Sequence, residues 1–303
     1  MSKSPPRAFK DDAARARYMT AYDAVLARWP VPYDDLMVPT DLGPTHVISS
    51  GPKGAPPLVL LHAALATAVV WRPNVQALSR HFRVHAVDIV GQGGRSLAAR
   101  LVKSRQDYAD WMNQLFDGLA IGRASIVGNS YGGFLACNQA VLSPGRVDRV
   151  VAISPPGVFV SFAPLARRFA VRAARTALLG LLGVKPPPPS VMIFLGKDPH
   201  INPGDEDWLA LGAYMVDGSV RMNAILPAMF TDAELRAIRA PTLLLIGQYE
   251  ALYHSASTLK LAKQLMPHLE GEIVKGADHT AAMAQPEAVN ARILSFLKGQ
   301  GRG

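Results

Sequence analysis

The sequence predicts an α/β protein with a mostly parallel central sheet and helices on both faces. The chain has 303 residues, of which 49% are hydrophobic, so it can bury a large core. From Pro57 onward, short apolar runs of strand composition alternate with longer segments of helical composition. Such alternation produces right-handed crossovers and a parallel sheet that is covered on both sides. The length favours one domain carrying an insertion over two equal domains.

The order of the elements follows from spacing and composition. Residues 8–29 carry apolar side chains at helical spacing among Asp and Arg, which predicts an amphipathic helix on the outside of the core. Two short strands are expected next, around residues 35–38 and 46–48, with a turn between them that contains Asp, Gly and Pro. Further strands are predicted at residues 58–61, 83–88, 125–128, 150–154, 242–247 and 272–274.

The alternation stops between about Pro155 and Arg239, where strand-like runs disappear. We therefore predict a core made of residues 1–155 and 240–303, and a helical insertion of residues 156–239 after the sixth strand. Regularly spaced aromatic residues and methionines in this insertion usually pack inward.

A serine in a glycine-rich segment is the main candidate for chemistry. Gly128-Asn129-Ser130-Tyr131-Gly132-Gly133 follows the apolar run 124–127 and precedes a helix-favouring stretch. A serine on such a tight strand-to-helix turn projects its Oγ out of the sheet, and a Cβ in place of the flanking glycines would collide with the backbone. The motif also occurs by chance as an ordinary turn with a capping serine. Its position here favours a nucleophile at Ser130.

A serine hydroxyl is a weak nucleophile, so it needs a base, and the base needs a group that orients it. After this type of turn, the acid precedes the histidine in the sequence. His279 lies in a loop that follows the last predicted strand, and we predict it as the base, ahead of His254 and His268.

The acid is expected at the end of the preceding strand. Glu250 is the first carboxylate after the apolar run 242–247, and we predict that it orients the histidine. The alternative for Glu250 is a surface glutamate on a loop. Asp278 is a weaker candidate because neighbours in sequence seldom pair side chain to side chain.

An ester or amide that is attacked by serine passes through an oxyanion, which requires hydrogen-bond donors aimed at it. One predicted donor is the backbone N–H of Tyr131, the residue after the serine. The other is expected in the loop after the third strand, which reads His62-Ala63-Ala64. We predict the N–H of Ala64, with Ala63 as the alternative. His62 is expected to be a hydrogen-bonded positioning residue.

These motifs together resemble the α/β-hydrolase fold superfamily over nearly the whole chain. The third strand with His62, the loop Asp88-Ile89-Val90-Gly91-Gln92-Gly93-Gly94-Arg95-Ser96, the serine turn, the strand ending at Gly247 and the loop 276–279 occur in the superfamily's order. This resemblance implies that the insertion 156–239 is a helical cap.

A closer resemblance is to the bacterial carboxylesterases of the NP type, known for hydrolysing arylpropionate esters. It rests on the segments 29–33, 45–48, 62–74 and 230–235. The resemblance implies glutamate as the triad acid, which agrees with Glu250.

Two departures from the superfamily stand out. Its His-Gly pair reads His62-Ala63 here, and an alanine would be strained if that position required a positive φ. Its Glu-His pair before the acid reads Gln248-Tyr249, which changes the surroundings of the predicted triad without removing a group from it.

A substrate pocket is expected over Ser130, and an apolar lining would suit an acyl or aryl group. The alternative for the residues of the insertion is simple packing inside the cap. The pocket candidates are His62, Leu65, Trp208, Met215, Met229 and Phe230.

Composition excludes several other classes. The 32 basic and 23 acidic residues give a net charge of +9, but no basic run is interleaved with aromatic residues, so nucleic-acid binding is not expected. No apolar stretch has the length of a membrane span, and the N-terminus lacks the apolar core of a signal peptide, which predicts a cytoplasmic protein.

The single cysteine, Cys137, is expected to be a small buried side chain. No metal or organic cofactor is implied, and a homodimer is left open.

The function predicted from these residues is a serine carboxylesterase that hydrolyses esters with apolar acyl or aryl groups through an acyl-enzyme intermediate. One alternative is another reaction on the same triad, such as carbon–carbon bond, thioester or lactone hydrolysis. Another is a hydrolase fold that only binds.

Overall fold

Eight strands among the described residues form one sheet in the computed structural model, which describes residues 7–161, 167, 171 and 206–299. The sheet order is β1-β2-β4-β3-β5-β6-β7-β8. Both pairings of β2, with β1 and with β4, are antiparallel, and all other pairings are parallel. The strands are β1 (Tyr33–Val38), β2 (Thr45–Ser50), β3 (Pro57–Leu61), β4 (Arg83–Val87), β5 (Ala124–Asn129), β6 (Val147–Ile153), β7 (Thr242–Gly247) and β8 (Glu270–Val274). The predicted mostly parallel sheet is confirmed.

Helices lie between these strands and at both ends of the described chain. They are α1 (Asp12–Leu26), α2 (Arg72–Leu78), α3 (Arg105–Gly118), α4 (Tyr131–Leu142), α5 (Glu206–Val216), α6 (Asp232–Ala237), α7 (Ser255–Leu265), α8 (Ala281–Ala284) and α9 (Pro286–Leu297), with 3₁₀ turns at Ala68–Trp71 and Pro144–Arg146. The helix predicted at residues 8–29 is shorter at both ends. It begins after Asp11, whose carboxylate accepts the N–H of Ala14 at 2.7 Å and caps the first turn.

Two apolar clusters cover the two faces of the sheet, as the alternation of strands and helices predicts. Along β3, Leu58 and Leu60 point to one cluster, while Val59 and Leu61 point to the other. This alternation follows from the two-residue period of a strand, and a central strand with both faces covered must be apolar throughout. Helices α1, α2 and α9 contribute to the first cluster, and α3, α4 and α7 contribute to the second.

The interval between β6 and β7 corresponds to the predicted insertion. Its described part contains α5 and α6 and no strand of the sheet, and α5 packs against α1. Most of residues 162–205, including the four consecutive prolines at 186–189, lie outside the described residues. Within the part of the chain that the structure describes, no helix combines the length and hydrophobicity needed to traverse a bilayer.

Candidate active site

Ser130 occupies the sharp turn between β5 and α4. Its backbone has φ 50° and ψ −114°, a positive φ that a non-glycine residue rarely adopts. The Ser130 N–H donates to the carbonyl of Ile153 at 2.7 Å, which anchors the turn to the end of β6. A Cβ on Gly128 would lie only 2.1 Å from the carbonyl oxygen of Gly132. The turn therefore requires the glycine that the sequence provides.

His279 contacts the serine from the loop after β8. Its Nε2 lies 2.8 Å from Oγ of Ser130. The histidine side chain is 13% exposed, so it is shielded without being sealed from solvent. The two residues are 149 positions apart in sequence and meet because β5 and β8 end at the same edge of the sheet.

Glu250 completes the hydrogen-bonded chain on the other side of the imidazole. Both carboxylate oxygens lie 2.9 Å from Nδ1 of His279, and Oε1 also accepts the N–H of Leu252 at 2.9 Å. With Nδ1–H directed at the carboxylate, Nε2 is left to accept the serine proton.

The Glu250 side chain is fully buried, which by itself opposes its ionisation. The hydrogen bond and charge of His279, together with the Leu252 N–H, outweigh that burial and hold the pKa of Glu250 below its ordinary value. The carboxylate is therefore charged at neutral pH.

The rival candidates lie elsewhere or are otherwise engaged. The carboxylate of Asp278 accepts the N–H of Thr280 at 2.8 Å and its hydroxyl at 2.7 Å, so it caps its own loop. His254 caps the start of α7, and His268 is exposed.

The predicted oxyanion donors lie on two segments that approach each other closely. A Cβ on Gly132 would lie 2.1 Å from the carbonyl oxygen of Leu61 and 2.8 Å from that of His62, so the first turn of α4 packs directly on the loop after β3. Among the described residues, neither the N–H of Tyr131 nor that of Ala64 donates a hydrogen bond to the protein.

His62 is fully buried and is hydrogen-bonded through both ring nitrogens. Its Nδ1–H donates to the carbonyl of Ala63 at 2.7 Å, and its Nε2 accepts the N–H of Ile89 at 2.9 Å. Burial lowers the pKa of His62, so the ring is neutral. It joins the loop after β3 to the loop after β4. Ala63 is not among the described residues with positive φ; that conformation falls on Leu65, at 61°.

The pocket candidates occupy different environments. Phe230 and Met215 are 2% and 4% exposed and belong to the apolar clusters, whereas Met229 is 55% exposed. Leu65 is half-buried. Trp208 lies on α5, but its side chain is outside the described set. The pocket assignment stays a prediction.

Two residues near the acid were not singled out from the sequence. Ser154 directly follows β6 and is fully buried, and the hydroxyl of Tyr253 is buried three residues after Glu250. Their positions could have drawn attention to them, because Ser154 follows β6, the neighbour of the strand that leads to the acid, and Tyr253 follows the acid by three residues. Among the described residues, no group of three His, Cys, Asp or Glu side chains is placed to hold a metal ion.

A buried serine turn, an imidazole within hydrogen-bond reach and an ionised carboxylate behind it define the nucleophilic hydrolases of the α/β class. The chain belongs to the alpha/beta hydrolase family, whose model matches residues 58–292.

Within that family it is similar to two proteins of Bacillus subtilis. Carboxylesterase YbfK is 37% identical over 93% of this chain and 94% of that protein. The carboxylesterase nap is 35% identical over 94% of this chain and 93% of its own length. The crystal structure of the naproxen esterase, carboxylesterase NP, from the same organism superposes with a TM-score of 0.81 at 35% identity, covering 94% of this chain and 98% of that one. The predicted resemblance to the NP group is confirmed.

Proposed function

We propose that this protein is a carboxylesterase in which Ser130 is the nucleophile, His279 the general base and Glu250 the residue that orients the imidazole. The observation that carries the proposal is the unbroken chain of hydrogen bonds from Oγ of Ser130 through His279 to Glu250. The carboxylic ester hydrolase class is that of the two Bacillus subtilis relatives.

The steps follow from the geometry. Ser130 attacks the ester carbonyl while Nε2 of His279 takes its proton, and the imidazolium that forms is stabilised by the buried carboxylate of Glu250. The N–H groups of Tyr131 and Ala64 bind the oxyanion. His279 then protonates the leaving alcohol. Water, activated by the same imidazole, releases the acid from the acyl-enzyme.

We further propose that residues 156–239 cap this site and favour apolar acyl or aryl groups. The described end of the insertion returns to the site directly, since the hydroxyl of Tyr131 donates to the carbonyl of Ile225 at 2.9 Å. A covering segment excludes water, and exclusion of water strengthens the electrostatic interactions at the reacting carbonyl.

The alternative functions are other hydrolytic reactions on the same triad, and binding without catalysis. Carbon–carbon, thioester and lactone hydrolysis would use the same three residues, so an activity panel separates them from ester hydrolysis. A protein that only binds would not require an ionised acid, a correctly oriented histidine and a displayed serine together.

The test is hydrolysis of p-nitrophenyl esters of increasing acyl length and of aryl esters, by the wild type and by Ser130→Ala. We expect ester turnover, and a loss in kcat on the order of 10⁶-fold in the variant. Ser125→Ala, on the strand β5 that leads to Ser130, is the matched control and should remain active. Retention of substantial activity in Ser130→Ala, or failure of the folded wild type to react with a fluorophosphonate, would overturn the mechanism.

A cytoplasmic location and the state of association stay predictions. Cell fractionation and light scattering of the purified protein measure them directly.

A further inference from the structure

Two hydroxyl groups lie buried behind the proposed acid. Ser154 is fully buried at the carboxyl end of β6, and its N–H donates to the carbonyl of Leu245 on β7 at 2.8 Å. That bond holds Ser154 beside the carboxyl end of β7, and the chain leaves β7 to reach Glu250. Tyr253 follows the acid by three residues, and its hydroxyl oxygen is inaccessible.

Neither hydroxyl oxygen makes a hydrogen bond of ordinary geometry with a described residue. Leaving a buried hydroxyl without a partner costs stability, and most buried polar groups in proteins are paired. Alanine at 154 and phenylalanine at 253 would avoid that cost, so the two hydroxyls need another explanation.

The backbone at Ser154 is also strained. Its φ is 46°, in the left-handed region that favours glycine, and Ser130, which follows the neighbouring strand β5, has a similar value of 50°. Strained residues of this kind cluster at functional sites, where the surrounding structure holds them in place.

The pKa values of Tyr253 and Glu250 connect the two hydroxyls with the acid. Burial and the negative charge of Glu250 raise the pKa of Tyr253 far above its ordinary value, and contact with the Ser154 hydroxyl opposes that rise. The Ser154 hydroxyl also contributes, after His279 and Leu252, to lowering the pKa of Glu250. The placement of the chain agrees with this link, because Ser154 is bonded through its backbone to β7, the strand that leads to Glu250, and Tyr253 follows Glu250 by three residues.

Glu250 has room for another donor. Its Oε1 accepts from Leu252 and His279, whereas Oε2 accepts from His279 and from no other group among the described residues. A carboxylate has about four lone-pair positions. When His279 becomes an imidazolium, a carboxylate with few fixed donors is free to turn.

We propose that Ser154 and Tyr253 are positioning residues for the acid: after a small rotation from the positions seen here, the Ser154 hydroxyl donates to the Glu250 carboxylate and the Tyr253 hydroxyl donates to Ser154. The pair holds the carboxylate against His279 while the imidazolium forms and decays. This inference rests on the proposed function, and it extends the hydrogen-bonded chain by two residues.

The test compares three substitutions with wild type in ester hydrolysis. Ser154→Ala and Ser154→Gly both remove the hydroxyl, but only glycine relieves the positive φ. We expect both to lower kcat by about tenfold, the loss for one hydrogen bond to a charged group, with KM within about twofold. Tyr253→Phe should lower kcat less, and adding it to Ser154→Ala should lower kcat little further, because the two hydroxyls act as one unit.

A second readout separates positioning from packing. Without the Ser154 donor, the carboxylate attracts the imidazole proton more strongly. The acid limb of the kcat/KM profile and the NMR resonance of the His279 Nδ1 proton should therefore move, the limb to higher pH and the resonance downfield. Ser50→Ala, which removes a buried hydroxyl that accepts from Trp29 at 3.0 Å far from the site, is the control and should change neither.

Each result decides the question. Wild-type kcat in Ser154→Ala, recovery in Ser154→Gly alone, or an unmoved Nδ1 resonance would each overturn the inference while leaving the proposed function intact. The proposed function fails separately, if the wild type does not hydrolyse esters or if Ser130→Ala does. The NMR measurement needs no substrate, so it tests the positioning in either case.

Discussion

Both carboxylate oxygens of Glu250 lie 2.9 Å from Nδ1 of His279. This arrangement sets the tautomer of the imidazole, since Nδ1 must carry a proton for either oxygen to accept. An amide in place of the carboxylate would present an N–H₂ group that favours the opposite tautomer. We expect Glu250→Gln to lower kcat by about 10⁴-fold with little change in KM, the loss measured for the corresponding Asp-to-Asn change of the triad acid in a serine protease.

Asp278→Asn is the matched control for that substitution, because it neutralises a carboxylate one residue from the same histidine. Its present role is to accept from Thr280, so we expect activity within a few-fold of wild type. Steady-state kinetics of both variants on a p-nitrophenyl ester shows which of the two carboxylates acts on His279. A larger loss in Asp278→Asn than in Glu250→Gln would show that the acid is misassigned.

The surroundings of His46 predict that the free energy of unfolding depends on pH. Its Nδ1 lies 2.9 Å from Asp88 and its Nε2 lies 2.9 Å from Asp35, so a carboxylate faces each ring nitrogen, an arrangement that favours the positively charged form of the ring. Burial opposes this charge, but the hydrogen bond and charge of Asp88, helped by Asp35, raise the pKa of His46 despite the nearby Arg95. Tyr22 also donates to Asp88, at 2.9 Å.

A group whose pKa is higher in the folded state stabilises the fold fully below its unfolded value of about 6.5, and that stabilisation is lost as pH rises through the folded value. We therefore expect the unfolding free energy of wild type to exceed that of His46→Gln by more at about pH 5.5 than at about pH 8.5. Urea unfolding at both pH values measures the difference. The exposed His268→Gln is the control, and a difference that grows with pH would contradict the assignment.

Phe230 and Met229 are adjacent in sequence and opposite in burial. The ring of Phe230 packs edge-on against Phe134, with centroids 5.7 Å apart, and the guanidinium of Arg105 lies 4.1 Å from its centroid. We expect Phe230→Ala to lower the free energy of unfolding by about 3–5 kcal/mol. Met229→Ala should change it by less than about 0.5 kcal/mol, because the side chain is exposed. Equal effects in urea unfolding would place the two residues in similar environments and contradict the structure.

Cys137 is fully enclosed on α4. Burial raises the pKa of its thiol to about 12, so the reactive thiolate is scarce at neutral pH. In the native protein we expect almost no reaction with 5,5′-dithiobis(2-nitrobenzoic acid), and one thiol per chain after unfolding in guanidinium chloride. Cys137→Ala provides the baseline. Rapid labelling of the native protein would show that α4 opens readily.

Much of the fold was predictable because its signals are local. The run Leu58 to Leu61 could be assigned to a central strand since four consecutive apolar residues suit a strand covered on both faces. The limits of α1 were less predictable. They depend on which residue caps the first turn, here Asp11, and the apolar spacing over residues 8–29 does not specify it.

The residues proposed for catalysis were predictable to the extent that sequence order implies position. Ser130, Glu250 and His279 each follow a strand, and the carboxyl ends of parallel strands meet at one edge of the sheet. His62 was expected to be a positioning residue, but its partners Ala63 and Ile89 could not be named, since Ile89 belongs to a different loop.

What the amino-acid order determined by itself is therefore most of the strands and helices, the serine turn, and the positions of Ser130, Glu250 and His279 just after strands, because each of these features depends on residues within a few positions of one another. Only the tertiary structure decided which hydroxyls surround Glu250, which carboxylates share His46, and whether Phe230 or Met229 is buried. These contacts join segments that lie far apart in the chain. They depend on how the loops and helices pack against the finished sheet, and no local pattern encodes that packing.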